Sequence, residues 1–140
     1  MCKVSSSVHF VTRSVGLARE GSARAVWIPN TDVYATDNGL VVKVELAGMR
    51  SEHLEITVEG TRLRISGNRP DGCRSPKAHF QVMEINYGPF ESVLEVPAGY
   101  DLSLAKAAYL NGFLRIDVPL AARSAKHSKV PIAEGNPSLI

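Results

Sequence analysis

Histidine, cysteine and carboxylate side chains are where chemistry is sought first in a 140-residue chain. The four histidines, His9, His53, His79 and His127, form no His-x-His or His-Glu-x-x-His spacing, so they give no reason to expect a metal site. Cys2 and Cys73 stand far apart, outside any Cys-x-x-Cys pair. Two cysteines are also too few for a disulfide framework, and a reducing cytosol is the default for such a chain. Cys73 sits in a loop-like stretch, where its one chemical use would be as a redox handle. Glu52, Glu55 and Glu59 read as solvated strand and loop faces rather than as a paired acid and base. Gly67-Asn68-Arg69-Pro70-Asp71-Gly72 has two glycines but no P-loop lysine, and no Gly-x-Ser-x-Gly elbow occurs. The residues therefore predict a non-enzyme with no catalytic residue, no metal and no cofactor.

What remains is a chain of short strands. Asn111-Gly112 lies between two apolar-rich runs, and Asn-Gly readily takes the positive φ angles of a two-residue hairpin. Beyond it Leu114, Ile116 and Val118 alternate with Phe113, Arg115 and Asp117, the period of a half-buried strand, and Pro119 ends the run. Upstream, a short strand is expected over Val33–Thr36, with a turn at Asp37-Asn38-Gly39. A second strand carries Leu40, Val42, Val44 and Leu46 on one face, a third Leu54, Ile56 and Val58, and a fourth Leu63 and Ile65. Residues 67–77 read as a loop, His79–Ile85 as a loosely alternating run, and 90–96 as a strand with Phe90, Ser92, Leu94 and Val96 on one face and Val93 with the glutamates on the other. Leu102–Leu110 is rich in Ala and Leu, but nine residues between turn signals favour a strand over a helix. About eight short strands and little helix predict an all-β, immunoglobulin-like antiparallel sandwich.

Composition narrows the partners. Aromatics make up 6% of the chain, so the core must be aliphatic. The net charge of +2 argues against a strong nucleic-acid binder, no apolar run approaches membrane-spanning length, and the start lacks a signal-peptide apolar stretch. A cytoplasmic protein is expected, with neither nucleic acid nor membrane as partner. The charge is uneven. Residues 1–28 carry Lys3, Arg13, Arg19 and Arg24 against Glu20, and residues 121–140 carry Arg123, Lys126 and Lys129 against Glu134, leaving an acidic middle. Basic ends on an acidic body suit self-association. The expected organisation is an N-terminal arm over 1–26 with no clear domain, a body over 27–119, and a C-terminal extension over 120–140. The arm's apolar Phe10, Val11 and Leu17 lie among Ser, Arg and Gly, so it reads either as a flexible, disordered tail or as a sticky arm that folds on binding, and apolar residues that a solvated tail does not need favour the second slightly.

The body resembles the small heat-shock protein family, whose core is the α-crystallin domain. Ala107, Asn111, Gly112 and Leu114 reproduce its A-x-x-x-N-G-x-L signature, and Val130-Pro131-Ile132 is similar to its C-terminal anchor. Leu46-Ala47-Gly48-Met49, Leu54–Val58 and Leu63–Gly67 match its central strands, and Glu84, Gly88 and Phe90 the lead into a later one, so the resemblance covers about residues 27–132. It implies an ATP-independent holdase of the stress response that keeps partly unfolded proteins soluble and assembles from dimers into larger homo-oligomers. The long 67–88 excursion resembles the bacterial and plant type, in which a strand, matched here by His79, Phe80, Gln81, Val82 and Met83, is exchanged into the partner's sheet. The resemblance also implies that the anchor is received between the strands carrying Leu54, Ile56 and Val58 and those carrying Leu104, Ala107 and Tyr109, and that clients meet the arm at Phe10, Val11 and Leu17. Two family arginines are replaced, by Ile85 and Ser92, and both commonly make charge pairs at the dimer interface.

Other occupants of these features are an ordinary internal hairpin at 79–83 and a tail without a docking role at 130–132. The rival functions are a monomeric CS-type co-chaperone adaptor, which would lack the exchange strand and anchor, and a ligand-binding sandwich. The latter usually presents a row of exposed aromatics, whereas Trp27 is the sole tryptophan and the four tyrosines are dispersed.

Overall fold

The computed structural model describes residues 27–72 and 75–122, and before them the course of one strand at 12–14. The anchor Val130-Pro131-Ile132, the arm residues Phe10, Val11 and Leu17, both cysteines, His9 and His127 lie outside the described residues. The strands are β1 (Thr12–Ser14), β2 (Thr31–Thr36), β3 (Gly39–Glu45), β4 (Leu54–Glu59), β5 (Arg62–Arg69), β6 (Gly88–Glu95), β7 (Lys106–Leu110) and β8 (Phe113–Pro119). They form two four-stranded antiparallel sheets, ordered β1-β6-β5-β4 and β2-β3-β8-β7.

The period-2 pattern sets the register. Leu40, Val42 and Val44 of β3 pair with Val118, Ile116 and Leu114 of β8, so both apolar sets face inward together. Leu63 and Ile65 of β5, and Phe90, Leu94 and Val96 on and just after β6, close the core from the other sheet. The core is aliphatic, as the composition requires, and Phe90 is the one fully buried aromatic ring among the described residues.

Four local features depart from the sequence reading. The loosely alternating run at 79–85 joins no strand within its own chain, and an unexpected strand, β1, lies antiparallel along β6, with Arg13 opposite Leu94. The strand count is thus reached with a different membership. The 102–110 run divides into a 3-10 turn, Leu102–Leu104, and then β7. The Asp101 carboxylate accepts the Ser103 N–H at 2.9 Å and caps that turn, and Leu102 is buried beneath it. β5 continues to Arg69, taking in Gly67 to Arg69 from the expected loop, because Gly67 passes so close to its neighbours that a Cβ there would stand 2.4 Å from the His53 carbonyl and 2.8 Å from the Phe90 ring. Val93 does point outward with Glu91 and Glu95, yet it is buried. It sits across from Arg64, whose guanidinium pairs with Glu91 at 3.0 Å, and long charged stems on that face shelter apolar surface.

Candidate functional site

β4 and β7 are outer strands of different sheets. The β3–β4 connection carries the chain from one sheet to the other and ties itself to β7. Tyr109, on the inward face of β7, donates its hydroxyl hydrogen to the Leu46 carbonyl at 2.6 Å and accepts the Met49 N–H at 3.3 Å. The same connection is held to the hairpin tip, where Leu46 N–H donates to the Gly112 carbonyl at 2.8 Å. The connection that leads into β4 is therefore tied to β7 at one flank of the sandwich.

The signature residues explain how. Asn111 (φ 51°) and Gly112 (φ 82°) both take the left-handed conformation of a two-residue hairpin turn joining β7 to β8. A side chain at residue 112 would meet Ala47 Cα at 3.1 Å, so glycine serves both the turn and the approach of the β3–β4 connection. Leu114 is buried in the core beyond the turn. Ala107 shares the inward parity of Tyr109 but remains exposed, its short side chain leaving the flank open beside it.

Along the opposite edge, Leu54 and Ile56 are half-buried against the core, and Val58 is 44% exposed. Five of the six expected groove residues, Leu54, Ile56, Val58, Ala107 and Tyr109, thus lie on these two edge strands. Leu104 precedes β7, in the 3-10 turn, and is 60% exposed. It lines a hollow of about 420 Å³ with Thr36, Val41, Lys106, Asp117 and Pro119.

The second feature is the excursion between β5 and β6. Arg69 and Gly88 form the last pair of that ladder, and residues 70–87 leave the sheet beyond it. His79, Phe80, Gln81, Val82 and Met83 belong to no strand and no ladder within their own chain, so the internal hairpin does not form. All five are exposed, and the apolar ones heavily so: Phe80 by 50%, Val82 by 74% and Met83 by 57%, followed by Ile85 at 60%. Ser92, at the second position where an arginine was expected, is buried at 1% exposure, and its Oγ has no hydrogen-bond partner among the described residues.

Sequence reasoning missed the residues at the foot of this excursion. Trp27 bridges to Phe90 in parallel fashion, with ring centroids 5.1 Å apart, and its indole N–H donates to the Gly88 carbonyl at 3.0 Å. The Arg69 guanidinium lies 4.4 Å over the indole and donates through Nη1 to the Asn86 carbonyl at 3.1 Å. The signal available was a lone tryptophan two residues before Pro29, at the entry to the ordered body.

The titratable groups are surface pairs. Glu95 is held below the usual carboxylate range by the Thr61 hydroxyl and then by Arg62, 3.1 Å away. Asp117 is lowered by the Arg115 guanidinium, which donates to both carboxylate oxygens, and Arg115 is raised in turn. Glu52 pairs with Arg50 at 3.4 Å, while Glu55 and Glu59 stand on the exposed face of β4. His53 and His79 are exposed, and among the described residues no three metal-ligating side chains gather. No helix among them is long and apolar enough to cross a membrane. The arrangement is one of edges and apolar surface rather than of reacting groups.

The comparisons with known proteins agree. Residues 32–133 match the Hsp20/alpha crystallin family profile. Small heat shock protein C2 of Rickettsia felis is 29% identical over 66% of this chain, which spans 60% of that relative's length. Small heat shock protein IbpB of Escherichia coli is 33% identical over 68% of each chain. A small heat-shock protein structure from Xylella fastidiosa superposes with a TM-score of 0.66 at 28% identity, covering 80% of this chain and all of that one. With its sandwich, Asn-Gly hairpin and long excursion, the chain belongs to the Hsp20/alpha crystallin family of small heat-shock proteins.

Proposed function

We propose that the protein is an ATP-independent holdase, which binds partly unfolded proteins in the cytoplasm and keeps them soluble, and which works as an assembly of exchangeable dimers. One observation carries this reading: residues 79–85 present Phe80, Val82, Met83 and Ile85 outside any strand of their own chain. Exposed apolar surface on that scale marks an interaction site, because left uncovered it aggregates.

The dimer follows from the edges. β4 and β7 flank the proposed anchor groove, and β1 already covers one side of β6. Of the two outer strands that remain, β1 has three residues and β2 six, so the edge of β2 offers the longer ladder for a partner's residues 79–83 to add as a strand, main chain to main chain. With Ile85 in place of an arginine, the joint rests on apolar contacts more than on ion pairs.

The anchor fits the other flank. Residues two apart in an extended segment project to the same side, about 6.6 Å apart at 3.3 Å per residue, so an anchor docked as a strand would offer Val130 and Ile132 together. Leu54, Ile56 and Val58 recur at the same two-residue spacing along β4. Pro131 between the two aliphatics stiffens the segment and gives up a donor that need not pair. Burying two aliphatic side chains contributes at most ~3–6 kcal/mol, much of it offset by the freedom lost on docking. Each anchor is therefore exchangeable and the assembly depends on many. Release of anchors uncovers the groove for clients, which also meet Phe10, Val11 and Leu17 of the arm. The Xylella fastidiosa relative is described as having a distinct high order structure, consistent with assembly beyond the dimer.

The test is the turbidity of a heat-labile client enzyme mixed with this protein, with and without ATP. The holdase reading expects suppression of aggregation independent of nucleotide. Full client aggregation at several-fold molar excess of this protein would refute it.

A further inference from the structure

We propose that Trp27 and Arg69 form a clasp that aims the excursion at a second copy of this chain. They act as positioning residues for strand exchange, so the proposal rests on the dimer reading above. The excursion leaves the sheet at Arg69 and returns at Gly88, and both stems converge on one indole. The Trp27 N–H holds the Gly88 carbonyl, the indole packs on Phe90, and the Arg69 cation stacks on the indole while donating to Asn86 within the returning stem. The guanidinium is the group suited to this. It is planar, so it can lie over a ring and donate from its edge at once, which a lysine ammonium cannot do.

The clasp also touches the acceptor side. Trp27 precedes the first residue of β2, Thr31, by four positions, so the same indole that gathers the excursion's stems fixes the entry to the sheet edge proposed to receive the partner's strand. Donor and acceptor parts of one subunit share a foot. Arg69 Nε is buried with no acceptor among the described residues, a cost that a side chain placed only for local stability would avoid by turning toward solvent. With the stems fixed, residues 75–87 lose less freedom on docking than a free loop of that length, and preorganisation of this kind appears as affinity.

The experiment measures the dimer dissociation constant by analytical ultracentrifugation of full-length protein, with hydrogen exchange of the β5 and β6 amides as the check on fold. Arg69→Met is expected to weaken the dimer about ten-fold, the loss of roughly one cation–π contact and one hydrogen bond, with β5 and β6 protection retained. Arg69→Lys keeps the cation but not the planar fork, and recovers part of the loss. Trp27 is the sole tryptophan, so its emission reports whether the stack is broken. Deletion of residues 78–84 runs in parallel and is expected to give monomer. Wild-type affinity for Arg69→Met beside a monomeric deletion variant would overturn the clasp and leave strand exchange standing. A deletion variant that still dimerises would overturn both. If Arg69→Met fails to fold, Trp27→Phe takes its place, losing the Gly88 bond while keeping a ring on Phe90; unchanged affinity there overturns the clasp equally.

Discussion

Tyr109→Phe removes one oxygen atom and tests how the β3–β4 connection is tied to β7. That oxygen donates to the Leu46 carbonyl at 2.6 Å and accepts from the Met49 N–H at 3.3 Å, so its loss strands two backbone groups of the β3–β4 connection. The site is part-buried, so water replaces the lost partner only incompletely. A net hydrogen bond is worth about 0.5–1.5 kcal/mol, and leaving a buried partner unpaired costs about 1–3 kcal/mol. The longer bond contributes little, so the expected loss is about 1–3 kcal/mol. For a domain of this size that corresponds to a fall in melting temperature of about 4–24 °C. Calorimetry of wild type and variant at matched protein concentration reads it, since assembly itself raises apparent stability. Because the ring stays and only the tie is lost, the variant should also exchange amide hydrogens faster at Met49 and Leu54. A melting temperature within about 1 °C of wild type, with unchanged exchange there, would refute the claim that this hydroxyl closes the flank.

Three further outcomes follow from single residues. Gly67→Ala places a Cβ 2.4 Å from the His53 carbonyl and 2.8 Å from Phe90, and should lower urea stability by at least about 2 kcal/mol; an unchanged midpoint would contradict the close approach. Ser92→Ala removes a buried hydroxyl that lacks a partner and should stabilise the protein by about 1 kcal/mol in the same assay, whereas clear destabilisation would mean that the hydroxyl is satisfied. Glu95 and Asp117 have lowered folded-state values, so their contribution is complete above the ordinary carboxylate range and is lost as pH falls through that range to the folded-state values. Both groups are exposed, so the effect is modest. Glu95→Gln and Asp117→Asn should lower stability modestly near pH 7, where the contribution is complete, and flatten the acid limb below about pH 4, so that the variant and wild-type curves converge at low pH. An acid limb as steep as wild type in the double variant would contradict the assignment.

The parts of the fold that were legible in sequence are those in which one strand face is buried. β5 and β8 alternate, and β3 does so apart from Val41, which is buried on the opposite face, because a slip of one residue would turn Val42, Ile65 or Ile116 to solvent. The Asn111-Gly112 turn was equally plain, since few dipeptides take two successive left-handed positions. What was hidden depends on partners distant in sequence. Residues 79–85 alternate like a strand yet join no strand of their own chain, and local pattern carries no information about whose edge a strand joins. Val93 looked like a solvent position until the neighbouring strand brought Arg64 beside it. The 3-10 turn at Leu102–Leu104 was masked by good helix and strand formers, and shows itself only through the Asp101 cap. Of the candidate site, the residues of β4 and β7 could be named from the family pattern. The Tyr109 hydroxyl bridge and the Trp27–Arg69 clasp could not, because each joins residues more than 40 positions apart.

The account stands or falls on edges that recruit other chains, and native mass measured by light scattering across concentration tests this most directly. Wild-type protein should be a large assembly that exchanges subunits, and Ile132→Ala should fall to species near the dimer. A strict monomer at every concentration, or an Ile132→Ala mass equal to wild type, would contradict it.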